Sequence, residues 1–496
     1  MAQQVWRLPL ENAEFPLLST LSGSGVAVQN QDVQLQKPND IPEYRPKIVH
    51  CQDVLPISGG LHSITHVQKV APITVGLFLF DEVWHVVDAA GFYGLFSPAS
   101  KNNYFSANGT VPWVSNPVAG AVTAPSKATV AGQSYICYAL DAIYVINCFT
   151  GVLTPLAVIG IAPSVDVKGI TNAGNYLIAW NEYTVFWSSP INPADFVPSL
   201  ITGAGSATPT ELNGKIMACY PALNGFYIYT TTGIILAQYS GNTQYPWIYK
   251  NIAGASAIRD SESVTHSATD LMNFAITSTG VVKITPQGVE AVFPMVGEFL
   301  AKRTFESYNF GLNILQRQTN VTLKTMVTRV GQRYLVISYG RSTSISFEAA
   351  LVYDFALQRW GKLARVHRYC FAYLDAAITD PGNAIGFMTE AGQITIVSLD
   401  ATLVGTEGIV MIGNIKLTRS SLLTMHEIEV NAGELTPSLY VNPSMDGKTY
   451  PISYPVTADA SGLYHCRRTA VAHAIIARGS FALTNLQVTT VQAGAR

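Results

Sequence analysis

The sequence predicts a mainly β fold organised as a β-propeller, and three observations carry that prediction. Short runs of Val, Ile, Tyr, Phe and Thr alternate with polar residues and are punctuated by 39 glycines and 26 prolines, the pattern of strands joined by tight turns. Clear helical periodicity is scarce. Strand clusters recur near residues 75–96, 134–158, 174–198, 216–249, 270–294, 331–364 and 369–399, with centres roughly 40 residues apart, in the range of propeller blades.

Each cluster has a recognisable interior. SYICYALDAIYVI (134–146) and GFYIY (225–229) have the β-branched and aromatic content that suits a pleated, half-buried surface. An apolar strand, a turn, a second strand and a terminal aromatic or proline recur in YVINCFTGVLTPL (144–156), FAITSTGVVKITPQGVEAVFP (274–294) and LVYDFALQRWGKL (351–363). In the last, Leu351, Val352 and Tyr353 form a strand, Asp354 to Gln358 the turn, and Trp360 caps the next strand. Such units bury their faces only by stacking on neighbours around a ring. About six or seven blades are expected over residues 61–400. Residues 1–60, rich in Gln, Asn, Pro and Ser, read as an extended strap packed on other subunits. Residues 401–496 read as a C-terminal β-rich domain of sandwich type, with Asp446-Gly447 as a hairpin turn.

Composition excludes several function classes. Of 496 residues only 12% are charged, against about 25% in a typical soluble domain, while 48% are hydrophobic and the mean hydropathy is +0.23. Disorder requires the opposite balance. No run approaches the ~18 apolar residues of a spanning helix; the nearest, Val152 to Val165, contains Pro155 and Pro163. The net charge of −2 argues against a dedicated nucleic-acid binder, which needs basic surplus to neutralise phosphates. The start, MAQQVWRLPL, lacks the basic and apolar regions of a secretory signal. Six cysteines without a C-x-x-C pair read as buried thiols in a reducing compartment, with pairing of Cys137 and Cys148 left open. A poorly charged exterior predicts that part of the surface is covered by other subunits.

Two segments stand out as candidate sites. WNEYTVFWSSPINPADFVPSLITGAGSA (180–207) holds Trp187, Ser188, Ser189, Pro190 and Asp195 in a proline-stiffened, hydroxyl-lined loop. It reads as a stapled inter-strand connection, because a nucleophile would need a paired base and no histidine is nearby. The run RWGKLARVHR holds Arg359, Lys362, Arg365 and Arg368 with no acid before Asp375. A lumen or partner contact is one reading, and a solvated or inter-subunit ion-paired edge is the favoured one. His62 and His66 have the H-x-x-x-H spacing of zinc ligands, but on strand-like sequence without a completing ligand set. SMDGKTY (444–450) is one residue short of the Asp-box of sialidase-type propellers and fits a hairpin turn. GAGSA (203–207) lacks the lysine of a phosphate-binding loop, and no paired carboxylates indicate glycoside hydrolysis. No metal or cofactor is expected.

The VFWSSP…PADFVPS…GAGSA run, the YDFALQRWGKL unit and RPKIVHCQDVLPISGGLHSI (45–64) together resemble the tail nozzle proteins of short-tailed bacteriophages, also called tail tubular protein B. In the third stretch Asp53-Val54-Leu55-Pro56 and Gly59-Gly60 occupy the places of the family's Asn-Val-Pro-like turn and glycine. The resemblance implies a propeller with added β-rich domains, assembled as a hexameric homo-oligomer below portal and adaptor. It implies a structural, non-enzymatic virion component of the phage tail, built in the host cytoplasm. Its role would be genome retention and DNA ejection, with double-stranded DNA passing without sequence-specific binding. Implied partners are adaptor or head-to-tail connector proteins, tail fibre or needle proteins, and the host envelope. The alternative is a propeller-based tail protein that binds or cleaves glycans.

Overall fold

The computed structural model describes residues 3–10, 47–70, 74–80, 83–88, 92–97, 102–103, 114–115, 126–137, 142–146, 153–162, 166–266, 272–301, 305–309, 314–344, 346–373, 384–388, 393–399, 404–405, 408–415, 421–432, 436–446, 450 and 452–495. Within them the predicted strand clusters become seven antiparallel meanders, the blades of a β-propeller. Blade 1 contains Thr74–Phe80, Val83–Asp88, Phe92–Ser97 and Val114–Ser115. Blade 2 contains Ser126–Val130, Gln133–Cys137, Ile143–Ile146 and Leu153–Pro155. Blade 3 contains Gly169–Ala173, Tyr176–Trp180, Val185–Trp187 and Gly205–Ala207. Blade 4 contains Ile216–Ala222, Gly225–Thr230, Ile234–Tyr239 and Trp247–Asn251. Blade 5 contains Val264–His266, Asn273–Thr277, Gly280–Thr285 and Gly288–Phe293, and a helix, Pro294–Ala301, follows it. Blade 6 is built on Leu323–Val330, Tyr334–Arg341, Ala349–Asp354 and Arg359–Leu363. Blade 7 takes Tyr369–Tyr373, Ala384–Met388 and Gln393–Ser398 from its own region.

The first strands of successive blades pack side by side from blade 2 to blade 7, and Tyr369–Tyr373 of blade 7 meets Thr74–Phe80 of blade 1. Blade 7 has only three local strands, and the fourth, Thr65–Val70, comes from ahead of blade 1 and pairs antiparallel with Gln393–Ser398. The Thr65 hydroxyl donates to the Ser398 carbonyl at 2.8 Å across this seam. The ring is therefore closed within one sheet by two distant parts of the chain.

Burial follows from this arrangement. A second strand has a neighbouring blade on each face, so both of its side-chain rows are dry. Tyr176–Trp180 (YLIAW), Gly225–Thr230 (GFYIYT) and Asn273–Thr277 (NFAIT) are buried at every position, like the continuous apolar strands of other sheets covered on both faces. Outer strands such as Gly288–Phe293 are largely open to solvent. Much of the hydrophobic composition is thus consumed inside one chain, between its own blades.

The Tyr353–Trp360 unit shows how a blade is locked to its neighbour. Asp354 is fully buried; its Oδ1 accepts the amides of Ala356 and Leu357 at 2.9 and 3.1 Å, and its Oδ2 accepts Arg333 Nε at 2.8 Å. These bonds hold the turn in the manner of an Asx turn. The tight return places Gln358 at φ +55° and pairs Trp360 with Tyr353. The indole then packs edge-on against Phe293 of blade 5 at 4.9 Å between ring centroids.

The termini form a second unit. One sheet contains Gln3–Pro9, Asn485–Ala495, Ser421–Asn431 and Leu463–Ala470; the other contains Lys47–Gln52, Gly408–Ile415, Ala472–Gly479, Ser438–Ser444 and Tyr454–Val456. Trp6, Leu8, Ile428 and Val488 of the first share one core with Ile48, Val410, Ile475 and Val441 of the second, which makes a β-sandwich. The sheets do not respect the expected divisions at residues 60 and 400. Residues 3–9 and 47–52, expected in an extended strap, are sandwich strands, and Trp6 and Leu8 are buried while Val5 and Arg7 are exposed. Residues 11–46 of that segment lie outside the described residues. The hairpin Val54–Ile57 and Gly60–Ser63 extends the outer edge of blade 6 and continues to Ala482–Leu483.

Trp360 is only 9% exposed, so Trp360→Ala should lower unfolding free energy by roughly 3–5 kcal/mol in denaturant titrations. A loss below about 1 kcal/mol would show that the ring does not hold blades 5 and 6 together.

Candidate functional site

The connection between the third and fourth strands of blade 3 is held by hydrogen bonds within it and to neighbouring segments, with the buried Thr202 hydroxyl the exception that has no partner. Ser188 N donates to Leu177 O at 2.9 Å, and Ser188 Oγ accepts Leu177 N and donates to Ser189 O, both at 3.0 Å. Ser189 N donates to Asp195 O at 2.7 Å, while Asp195 Oδ1 accepts Val197 N at 3.0 Å. Trp187 Nε1 donates to Gly203 O at 3.0 Å. A Cβ on Gly205 would lie 2.8 Å from the Trp187 indole, so that site needs glycine. Phe196 is buried in the core between blades 2 and 3. Its amide donates to Ile159 O at 2.8 Å, and Ile159 N donates to Ala194 O at 2.9 Å. Pro190 stiffens the start of the loop. The sequence expectation of a stapled connection describes these contacts.

What the sequence reading missed is the outer face of that loop. Ile191 is 91% exposed and Ile201 96%, with Val197 and Leu200 also exposed. In blade 4 the turn between the first and second strands leaves Leu223 exposed and the one between the third and fourth leaves Tyr245 exposed, and the two are tied together by Tyr239 N donating to Asn224 O at 2.8 Å. The two blades meet here: a Cβ on Gly203 would lie 3.4 Å from Thr243 O and 3.7 Å from the Tyr176 hydroxyl. Within 188–204, 223–224 and 239–247 the one charged residue is Asp195. The signal was present in the aliphatic spacing of Ile191, Val197, Leu200 and Ile201 between prolines, but sequence does not tell which side of a loop faces water.

The residues of the basic run make contacts within the chain. Arg359 donates from Nη1 to Ile57 O and Gly60 O at 3.1 and 2.9 Å, and from Nη2 to Leu10 O at 2.9 Å. It fastens the blade 6 edge to the end of a sandwich strand. Arg365 Nε lies 3.4 Å from Asp53 Oδ1, which also accepts Ala364 N at 3.0 Å. Burial pushes the Asp53 carboxyl up, against the opposing pull of Arg365. Arg368 grips Glu262 with both guanidinium nitrogens, at 2.7 and 3.1 Å. Lys362 is half-buried, and its charge adds to the desolvation that holds the His50 imidazole well below its ordinary value. Arg359 and Arg365 border the seam between blade 6 and the sandwich, where Arg365 has the 3.4 Å ion pair with Asp53 but its Nε and Nη2 are buried without a hydrogen bond, while Arg368 reaches across to Glu262, just ahead of the first strand of blade 5.

Within that run His367 is fully buried between Phe347 and Phe387. Its Nε2 bonds Ser338 Oγ and its Nδ1 bonds Arg365 O, each at 2.7 Å. Burial pulls its pKa down to about 4. His473 in the sandwich, equally buried, is also pulled down to about 4 by desolvation.

The remaining motifs come apart in space. His62 lies in the hairpin on blade 6 and His66 in the closing strand of blade 7, so they share no helical face. Ser444 donates to Asp446 at 2.8 Å at the end of a sandwich strand rather than in a blade; Gly447 lies outside the described residues. Cys137 is buried in blade 2, and Cys148 also lies outside them. On the sandwich surface His465 Nε2 is 2.9 Å from Asp459 Oδ2, but Ser461 Oγ donates to Asp459 at 2.6 Å instead of to the imidazole. Those bonds hold the Asp459 carboxyl well below the usual carboxylate range; they do not form a nucleophile–base pair. Among the described residues no three His, Cys, Asp or Glu side chains form a metal-binding group.

No family model matches the chain, and no curated protein matches it. Among solved structures, BamB from Moraxella catarrhalis aligns at 11% identity and a TM-score of 0.34, over 68% of this chain and 97% of that one. BBS1N in complex with ARL6DN aligns at 9% identity and 0.38, over 71% and 99%. The β-propeller domain of Myceliophteria thermophila Cps50 (Swd1) aligns at 8% identity and 0.40, over 67% and 99%.

A histidine with an ordinary pKa of 6.5 when unfolded and about 4 when folded takes up its proton only in the unfolded chain between those values. Stability should therefore fall as pH drops from 6.5 to 4, by on the order of 3 kcal/mol for each of His367 and His473. Denaturant midpoints across that window should decline less steeply in His367→Gln, and an unchanged slope would remove His367 as a contributor. Arg368→Glu should cost about 1–3 kcal/mol by facing Glu262 with a like charge. Adding Glu262→Arg should recover at least half of that loss in a double-mutant cycle.

Proposed function

We propose that the chain is a structural subunit of a short-tailed bacteriophage tail, a nozzle protein that assembles as a homo-oligomeric ring. The ring, expected to be hexameric, sits below portal and adaptor and acts as conduit and valve for DNA ejection. The observation that carries this reading is the outer side of the blade 3 loop, where Ile191, Leu200 and Ile201 stand in solvent and Asp195 is the one charged residue. It lies within one of the three segments that resemble nozzle proteins, and exposed aliphatic residues grouped on one loop favour a protein–protein contact. Of the other two segments, residues 47–64 form the seam between propeller and sandwich, and the Tyr353–Trp360 unit forms the lock between blades 5 and 6. A charge-neutral chain suits a passage along which phosphates slide without being held. Adaptor and fibre or needle proteins are the remaining partners on this reading, with transient host-envelope contact during ejection.

Negative-stain microscopy and mass photometry of the full chain, alone and with the adaptor protein, test it. A closed six-membered ring with an axial opening is the expected result. A stable monomer under both conditions that retains or hydrolyses glycans would sink the proposal in favour of a carbohydrate-directed tail propeller.

A further inference from the structure

Residues 364–368 carry the chain from the fourth strand of blade 6, Arg359–Leu363, to the first strand of blade 7, Tyr369–Tyr373, and they are fastened at three points. At the outer end Asp53 Oδ1 accepts Ala364 N at 3.0 Å and lies 3.4 Å from Arg365 Nε. Asp53 itself stands at φ +54°, where the sandwich strand Lys47–Gln52 turns into the hairpin strand Val54–Ile57. In the middle Phe347 N donates to His367 O at 2.7 Å and His367 N to Phe347 O at 3.0 Å, with the imidazole buried. At the inner end Arg368 grips Glu262, whose carbonyl accepts Val327 N of blade 6 at 3.1 Å. We propose that this segment is an acid-released latch: protonation of His367 detaches residues 364–368 from blade 6, and with them the contacts to Asp53 and Glu262 that join the sandwich, blade 5 and blade 7.

The surroundings of the ring make it the trigger. The Arg365 carbonyl can only accept, so Nδ1 carries the proton of the neutral imidazole and Nε2 accepts from Ser338 Oγ. A second proton on Nε2 breaks that bond as it stands, and both side chains are fully buried away from bulk water. The charges that act on the ring are Lys324 of blade 6 and Arg368 of the latch, both cations. Ala384–Met388, which supplies Phe387, has no charged residue, and Glu348 beside Phe347 is held by Arg341 at 2.9 Å. Glu262 is taken by Arg368 and Asp53 by Arg365. An imidazolium therefore finds no counter-charge in place, whereas solvent is one residue away, at the 59% exposed Val366. With the docked ring at about 4 and the released ring near 6.5, the proton is taken up on release as pH falls through that window. Release then gains up to about 300-fold. At the outer end Asp53, which burial pushes up, opposes release in acid, while His50 beside Lys362 is pulled down.

Hydrogen exchange of the full chain, read by mass spectrometry from about pH 7 to pH 4 and corrected for the intrinsic pH dependence of amide exchange, tests the latch. Protection of peptides containing Phe347 and residues 364–368 should fall about tenfold per pH unit below 6.5 and level off near 4. The buried second strands Gly225–Thr230 and Asn273–Thr277 should stay unexchanged over the same labelling time. His367→Gln keeps a donor for Arg365 O and an acceptor for Ser338 but takes up no proton, so its segment should remain protected down to pH 4. Constant wild-type protection across the window overturns the proposal, and so does the same slope in His367→Gln. Exchange that sets in together in the segment and in both second strands is global unfolding and overturns it as well. If the glutamine does not dock, which lost protection at pH 7 reveals, Lys324→Gln decides. Removing that cation should make the loss level off at a higher pH, and an unchanged profile overturns the proposal. Glu262→Gln tests the inner fastening: it should lower protection of residues 364–368 at every pH with the slope kept, and unaltered protection removes Glu262 from the latch and overturns the proposal as stated.

Discussion

A propeller blade has two apolar faces and can bury both only between two neighbours, so every blade depends on the ring being closed. Closure here rests on Thr65–Val70 entering blade 7 beside Gln393–Ser398. Without that strand blade 7 would expose a sheet edge, and the contact between blades 7 and 1 would lose its support. The rest of the architecture follows the same requirement. Second strands are dry on both sides, inter-blade layers such as Phe293, Tyr353 and Trp360 form the core, and solvent reaches mainly the outer strands and the turns.

The closing strand also explains where the sandwich sits. The chain enters blade 7 from the hairpin at residues 54–63, which in turn leaves the sandwich strand Lys47–Gln52. Propeller closure and sandwich completion are therefore consecutive events along one stretch of chain. Arg359, with its fork on three carbonyls, and the Asp53–Arg365 pair hold that stretch in place. Charges that sequence reasoning would send outward are drawn into the seam because strand ends there leave carbonyl oxygens that need donors.

The same geometry changes the meaning of the composition. Few charges and many hydrophobic residues suggest subunit burial when read as bulk numbers, yet blades covered on both faces account for much of that content within one chain. Among the described residues the folding of a single chain leaves large apolar side chains exposed at several places, at Val366, Met445 and Ile452 as well as at the loop ends of blades 3 and 4. An assembly surface is accordingly better sought among such residues than in the overall hydropathy.

The sequence by itself determined the β class, the blade period and the local turns. Continuous apolar runs such as YLIAW and GFYIYT recur because each is buried on both faces, and the Asp354 turn is set by residues two and three positions away. The seven clusters seen in the sequence correspond to the seven blades. The stapled character of residues 188–204 was legible for the same local reason. Tertiary structure alone decided the rest. Thr65 and Ser398 are 333 residues apart, and strand 3–9 pairs with 485–495; no local pattern encodes a partner at that distance. Whether Arg368 meets water or Glu262, and whether Ile201 faces a core or solvent, depends on which blade lies opposite. That is a property of the closed ring rather than of any segment in it.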